Sequence, residues 1–265
     1  MLDRHPRLKV IARVGVGYDT VDVAAATQRG VPVCIAPGTN QGSVAEHTFA
    51  LLLALTRRLV AQHNAVVAGA WPRGTLLPAR GRTLGLVGLG RIGKAVATRA
   101  LAFEMRVIAH DPFPDTAWAE AHGVPLVTFE ELLRQSDFLS LHMPALPETT
   151  RLINAKTLAL MKPTAFLINT SRGAVVDEVD LHAALKEGRL AGAGLDVFDP
   201  EPLRADSPLR ALDNVVLTPH AAGVDLSSRD DMARSAAEAI VSLSRGEWPA
   251  EKVVNPEVRA AFRWK

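Results

Sequence analysis

Thr83-Leu84-Gly85-Leu86-Val87-Gly88-Leu89-Gly90-Arg91-Ile92-Gly93 opens as an apolar strand, turns on glycine and continues as a helix. The first five residues are apolar or small throughout, as a strand buried on both faces of a parallel sheet requires. The spacing predicts a helix over residues 91–103 and a second strand over 106–110, ending at Asp111, 18 residues after Gly93. In such a unit Gly88 permits the tight turn, Gly90 lets the backbone approach a pyrophosphate, and Gly93 lets helix pack closely on strand. The helix N-terminus offers amides to the phosphates, and the Asp111 carboxylate is placed to grip the adenosine ribose hydroxyls. Glycines punctuate many turns, so the pattern alone is weak. Strand, helix and acid in register point to a dinucleotide. A carboxylate at Asp111 repels a 2′-phosphate, and His110, Pro112 and Phe113 include no Arg to receive one, which favours NAD over NADP.

Outward from this unit, short β-branched runs alternate with helical stretches, the mark of a parallel sheet covered by helices. Strands are expected at residues 9–14, 31–35, 83–87, 106–110, 137–142, 165–169, 191–196 and 215–218. Helices are expected at 21–28, 91–103, 129–135 and 178–186, with Thr128 and Glu131 at capping-box spacing. A single long helix over 43–70 is expected to separate the first two strands from the rest, ending where residues 69–74 bring Gly, Pro and Gly. A last helix over 225–244 is expected to fold back onto the N-terminal piece. That piece, two strands and one helix, is too small to cover both faces of a parallel sheet.

Three segments fall at the carboxyl ends of expected strands, where open α/β sheets place their ligands: Asn169-Thr170-Ser171-Arg172-Gly173, Asp196 to Pro202, and Thr218-Pro219-His220-Ala221-Ala222-Gly223. Arg172 can bind a carboxylate through two parallel hydrogen bonds. His220 can take a hydroxyl proton while hydride leaves carbon, and Glu201 can hold its imidazole oriented. Taken singly these are a surface Arg, a loop Glu and a capping His. Together, downstream of a dinucleotide turn, they describe hydride transfer at a carbinol.

With these residues in hand, the chain resembles the D-isomer-specific 2-hydroxyacid dehydrogenases. The matching blocks are Gly15-Val16-Gly17-Tyr18-Asp19, Val44-Ala45-Glu46-His47, the Gly88–Gly93 turn, Asn169 to Gly173 with Asp177-Glu178, Asp196 to Pro202, and Pro219-His220. They run from about Leu8 to Asn255. The resemblance implies a Rossmann-type doubly wound parallel sheet with an incomplete flavodoxin-like substrate domain. It implies that residues 1–45 are a remnant of the latter, 46–221 the NAD-binding domain, and 222–265 a C-terminal helix returning to the substrate domain. It further implies an NAD-dependent oxidoreductase for a small 2-hydroxy or 2-keto acid. In it Arg172 binds substrate, His220 is proton donor and acceptor, and Glu201 is its partner. Arg91 and Ile92 would lie over the pyrophosphate, Asp111 on the ribose, and Thr170 and Ser171 on the nicotinamide side. Asp196 would orient the carboxamide, while Met143, after a strand-ending His142, and Gly223 line the cofactor cleft. Val14, Gly15 and Val16 would present amides to the substrate carboxylate, a task that suits glycine.

Family members normally carry further strand–helix units before the segment matching Leu8, so the resemblance implies that an N-terminal part is missing, through truncation or a late-assigned start. A homodimer is expected by resemblance, through the helix from Ser43 and the segment 71–77. Relatives acting on formate or phosphite, and a non-catalytic NADH-sensing binder of the same fold, are the competing readings; no extra peptide-binding segment or long tail supports the sensor.

Composition narrows the field further. The 265 residues carry a formal charge of +2 with scattered Lys and Arg, against a nucleic-acid footprint. Hydrophobic residues at 48% and charged residues at 22% suit a soluble globular chain. The apolar run at 49–55 is too short to cross a bilayer, and the N-terminus has no signal-peptide stretch. A lone cysteine, Cys34 in a strand-like run, fits a buried inert thiol and a reducing cytoplasm. No Cys/His cluster suggests a metal, and the four tryptophans are too scattered for a stacking platform.

Overall fold

In the computed structural model, which describes residues 4–264, the strand before the glycine turn, β3 (Thr83–Val87), lies between β4 (Arg106–His110) and β5 (Phe138–Leu141). Beyond β5 follow β6 (Phe166–Asn169), β7 (Gly192–Leu195) and β8 (Val215–Leu217), all parallel, in the order β4-β3-β5-β6-β7-β8. The chain steps from β3 to β4 on one side and then crosses to β5 on the other. That reversal opens a crevice at the carboxyl ends of β3 and β5, as the topology of doubly wound sheets requires.

Alternation along β3 supplies both faces. Leu84 and Leu86 pack with Val96, Ala97 and Ala100 of α4 (Arg91–Ala102) and with Leu51 and Leu52 of α2 (Gln41–Thr56). Val87, with Leu139 and Leu141 of β5, packs on the opposite face against α6 (Phe129–Gln135) and α8 (Glu178–Lys186). Each fully buried leucine contributes about 2 kcal/mol, so the strand ends that carry the site rise from a rigid base. The Thr128–Glu131 capping box forms as its spacing predicts, with the Thr128 amide donating to Glu131 Oε2 at 2.9 Å.

The structure divides into two compact units, residues 44–222 and residues 4–43 with 223–264. In the second unit β1 (Ile11–Ala12) and β2 (Val33–Cys34) form a short parallel pair beside α1 (Val23–Gln28). The C-terminal helix α9 (Leu226–Ser244) packs on that pair through Ala239 and Leu243, which surround Cys34. Burial pushes the Cys34 thiol up to about 11, with Lys252 opposing weakly, so the sulfur is an inert core atom.

The expected helix over 43–70 is two helices. α2 stops at Thr56, Arg58 takes a left-handed φ of 48°, and α3 (Leu59–Val67) begins after it. No Gly or Pro marks the break, and both sides read as good helix. Two short helices were not expected: α5 (Thr116–Ala121), capped by Asp115, and α7 (Ala155–Leu158), capped by Asn154. Strands expected at 9–14 and 31–35 shrink to two paired residues each.

Candidate active site

The glycine turn uses its three glycines differently. Gly88 has φ +96°, and a Cβ there would lie 2.7 Å from the His142 carbonyl oxygen. A Cβ on Gly93 would meet the Gly88 carbonyl oxygen at 2.2 Å, so the helix packs on the turn only without a side chain. A Cβ on Gly90 would meet nothing within 4 Å beyond its own chain neighbours among the described residues. That open space, in front of a helix N-terminus with no side-chain cap, fits a pyrophosphate group. Arg91 and Ile92 begin α4, Arg91 exposed and Ile92 half-buried.

Asp111 directly follows β4. Its Oδ2 accepts the Leu89 amide at 2.7 Å, and Oδ1 accepts the Phe113 amide at 2.8 Å. The acid therefore buttresses the glycine turn from the neighbouring strand.

The carboxyl end of β6 is built around Asn169, buried at 1% exposure. Its Oδ1 accepts from the Ser171 amide at 3.0 Å and the Ser171 hydroxyl at 2.8 Å, while Nδ2 donates to the Arg172 carbonyl at 2.9 Å. This staple fixes the backbone from which Arg172 extends, and Arg172 Nη1 donates to the Ser171 carbonyl at 2.6 Å. At Gly173 a Cβ would sit 1.9 Å from the Phe198 carbonyl carbon. Phe198 in turn donates its amide to Glu201 Oε1 at 3.1 Å. The Arg172 loop and the Glu201 loop are thus in direct backbone contact.

His220 follows β8. Its Nδ1 lies 2.7 Å from Glu201 Oε2, with side-chain exposures of 48% for the His and 37% for the Glu. A carboxylate at Nδ1 fixes the tautomer with the proton there and turns Nε2 outward. The His220 backbone is left-handed, φ 54°, and its amide donates to the Asp196 carbonyl at 2.7 Å.

Asp196 is fully buried. Oδ1 accepts from Thr218 Oγ1 at 2.6 Å and from the Ala221 amide at 2.9 Å, and Oδ2 accepts from the Ala222 amide at 2.8 Å. His47 Nε2 lies 2.9 Å from Thr218 Oγ1 and 3.4 Å from Asp196 Oδ1. Burial pushes the Asp196 carboxyl upward, but the bonds from His47, Thr218, Ala221 and Ala222 outweigh it and hold the group below its ordinary range. Its oxygens hold the loop that carries His220.

His142 follows β5 at the crevice, with Met143 half-buried beside it. Its Nε2 lies 2.9 Å from Ser140 Oγ, its Nδ1 is buried with no hydrogen-bond partner among the described residues, and burial pushes the ring down to about 3. Thr170 and Ser171 are buried, and Thr170 Oγ1 lies 3.1 Å from Thr48 Oγ1 of α2.

Val14, Gly15, Val16 and Gly223 lie in the other unit. The Gly15 carbonyl accepts the Ala36 amide at 2.9 Å, and Arg13 Nε donates to the Gly17 carbonyl at 3.0 Å. Neither Gly15 nor Gly17 adopts a left-handed φ, so backbone freedom does not account for them. Among the described residues no helix is long and apolar enough to cross a membrane.

The profile of the D-isomer specific 2-hydroxyacid dehydrogenase, NAD binding domain, matches residues 49–222. A glyoxylate reductase of Korarchaeum cryptofilum is 47% identical over 264 residues, which cover 97% of this chain and 79% of that protein. A D-3-phosphoglycerate dehydrogenase of Archaeoglobus fulgidus is 44% identical, over 94% of this chain and 47% of the longer relative. Among solved structures, the D-lactate dehydrogenase of Aquifex aeolicus, complexed with NAD and lactic acid, superposes with a TM-score of 0.88 at 33% identity, covering 96% of this chain and 82% of that one.

Proposed function

The chain belongs to the D-isomer-specific 2-hydroxyacid dehydrogenases, and from that membership we propose a division of labour among its residues. As a member it is an NAD-dependent oxidoreductase acting on small 2-hydroxy or 2-keto acids. His220 and Glu201 are its proton-transfer pair, and Arg172 is its carboxylate anchor. The observation that carries this is the 2.7 Å bond between His220 Nδ1 and Glu201 Oε2, on a loop in backbone contact with that of Arg172.

NAD, bound at the glycine turn, supplies the hydride acceptor, and in its reduced form the hydride donor. The open space at Gly90 and the uncapped start of α4 receive its pyrophosphate, and Asp111 receives the ribose hydroxyls and disfavours a 2′-phosphate. Arg172 binds the substrate carboxylate by two parallel N–H···O bonds. During reduction His220 Nε2 gives its proton to the carbonyl oxygen as hydride reaches the carbonyl carbon. During oxidation Nε2 takes the hydroxyl proton back. Glu201 keeps Nδ1 occupied, so only Nε2 exchanges protons with substrate, and its charge faces the imidazolium formed on oxidation.

Glyoxylate is the first substrate to test, since relatives at 44–47% identity are named for it. NADH oxidation with glyoxylate, hydroxypyruvate and pyruvate should fall by roughly 10²–10⁴ in His220→Ala, while fluorescence titration finds NADH still bound. Turnover surviving that substitution, or NADH binding without turnover on any 2-keto acid, overturns the assignment.

A further inference from the structure

We propose that His47 and Thr48, neighbours on α2, are a positioning pair that holds the proton-transfer loop and the carboxylate-anchor loop in register. The proposal rests on the catalytic roles assigned above to His220 and Arg172, but its geometry is independent of them. The two side chains leave one turn of one helix and reach two different strand ends. His47 Nε2 meets Thr218 Oγ1 at 2.9 Å, after β8, and Thr48 Oγ1 meets Thr170 Oγ1 at 3.1 Å, after β6.

Proton counting gives each contact a direction. Thr218 Oγ1 spends its one proton on Asp196 Oδ1 at 2.6 Å, so it accepts from His47, and the His47 proton sits on Nε2. Thr48 Oγ1 spends its proton on the Val44 carbonyl at 2.8 Å, so it accepts from the Thr170 hydroxyl. His47 therefore closes a network that runs through Thr218 and Asp196 to the amides of Ala221 and Ala222, so that His220 is held between Thr218 before it and Ala221 after it. Thr48 closes a shorter one that ends beside Ser171 and Arg172. Neither residue needs to touch substrate. Their helix is anchored by Leu51 and Leu52, both buried against the sheet, so it is a stiff reference for both loops.

The test uses His47→Leu, His47→Gln and Thr48→Val in the full chain, with amide hydrogen exchange read separately in residues 218–222 and 169–172. Loss of a hydrogen bond worth about 1 kcal/mol should speed exchange of the His220, Ala221 and Ala222 amides by about five- to tenfold in H47L, leaving 169–172 unchanged. H47Q, which restores an N–H at nearly the same reach, should restore protection. T48V should loosen 169–172 and spare 218–222. In turnover with a 2-keto acid, H47L should lower kcat with KM nearly unchanged, and T48V should chiefly raise KM. If the chain turns over no 2-keto acid, the catalytic assignment has failed and the exchange pattern alone decides the positioning role. Unchanged exchange, equal loosening of both loops by either variant, or an H47Q no better than H47L overturns it.

Discussion

At the scale of single residues, Asp111 carries two burdens that the sequence separates poorly from one. It is proposed to hold the cofactor's ribose, and it holds the Leu89 amide at 2.7 Å. Asp111→Ala removes both, whereas Asp111→Asn keeps one acceptor oxygen for the Leu89 amide while losing the charge and the acceptor for the Phe113 amide. Fluorescence titration should find NADH weakened about tenfold or more in the alanine variant. The asparagine variant should bind NADH better than the alanine one and gain on NADPH. An unchanged preference in both variants removes Asp111 from cofactor selection.

His142 gives a prediction in pH. Its ring is pushed down to about 3 by burial, against about 6.5 in an unfolded chain. Sign follows from proton uptake: below about pH 6.5 the unfolded chain binds a proton here that the folded chain refuses, so stability is lost as pH falls toward 3. His142→Gln should flatten the stability profile between pH 6.5 and 4.5, where most carboxylates remain ionised. Denaturant melts across that window check it, and an unaltered slope means that the ring is not neutral in the fold. Residues such as Arg172, Glu201 and His220 were legible because their chemistry and their place after strands coincide. His47 was not, because its partners Thr218 and Asp196 are remote in sequence and no local pattern joins them.

At the scale of elements, the strands of the large sheet were legible because each is an apolar run bounded by polar or glycine punctuation, and parallel strands need little more. The α2–α3 break was illegible for a physical reason. Arg57 and Arg58 favour helix intrinsically, and the exposed Arg58, neither Gly nor Asn, gives no sign in the sequence that it turns left-handed, at a cost of roughly 1 kcal/mol. The short helices α5 and α7 had their signals in Asp115 and Asn154, both good N-caps, but four to six residues carry too little periodicity to stand out. Where two loops meet, the decisive residue is small. Gly173→Ala would drive a methyl into the Phe198 carbonyl, so the Arg172 and Glu201 loops must part. Overpacking of this kind costs about 1–3 kcal/mol. The expected result is a sharp fall in kcat/KM with NADH affinity nearly kept, since the glycine turn lies on other strands. Kinetics together with NADH titration check it, and full activity in the alanine variant would mean that the loops need no close contact.

At the scale of the whole molecule, α3 is an apolar helix with no residue buried. Leu59, Val60, Val66 and Val67 are 61%, 51%, 48% and 75% exposed, and Trp71 just beyond is 74% exposed. Such a patch is costly in water and marks an association surface more often than chance exposure does. A second copy of this chain is the occupant we propose, in line with the dimer expected from the sequence, and a two-fold contact would lay the same helix on both sides. Val60 and Val67 are seven residues apart and share a face, so Val60→Asp with Val67→Asp places four carboxylates across one such contact. Sedimentation velocity at micromolar protein should find the unsubstituted chain dimeric and the double variant monomeric, with the latter's circular dichroism unchanged. An unsubstituted chain that sediments as a monomer, or a double variant that still dimerises, shows that α3 is not the seam. NADH binding to the double variant then separates two consequences of dimerisation: affinity kept means that the glycine turn of one chain suffices, and affinity lost means that the second copy stabilises it.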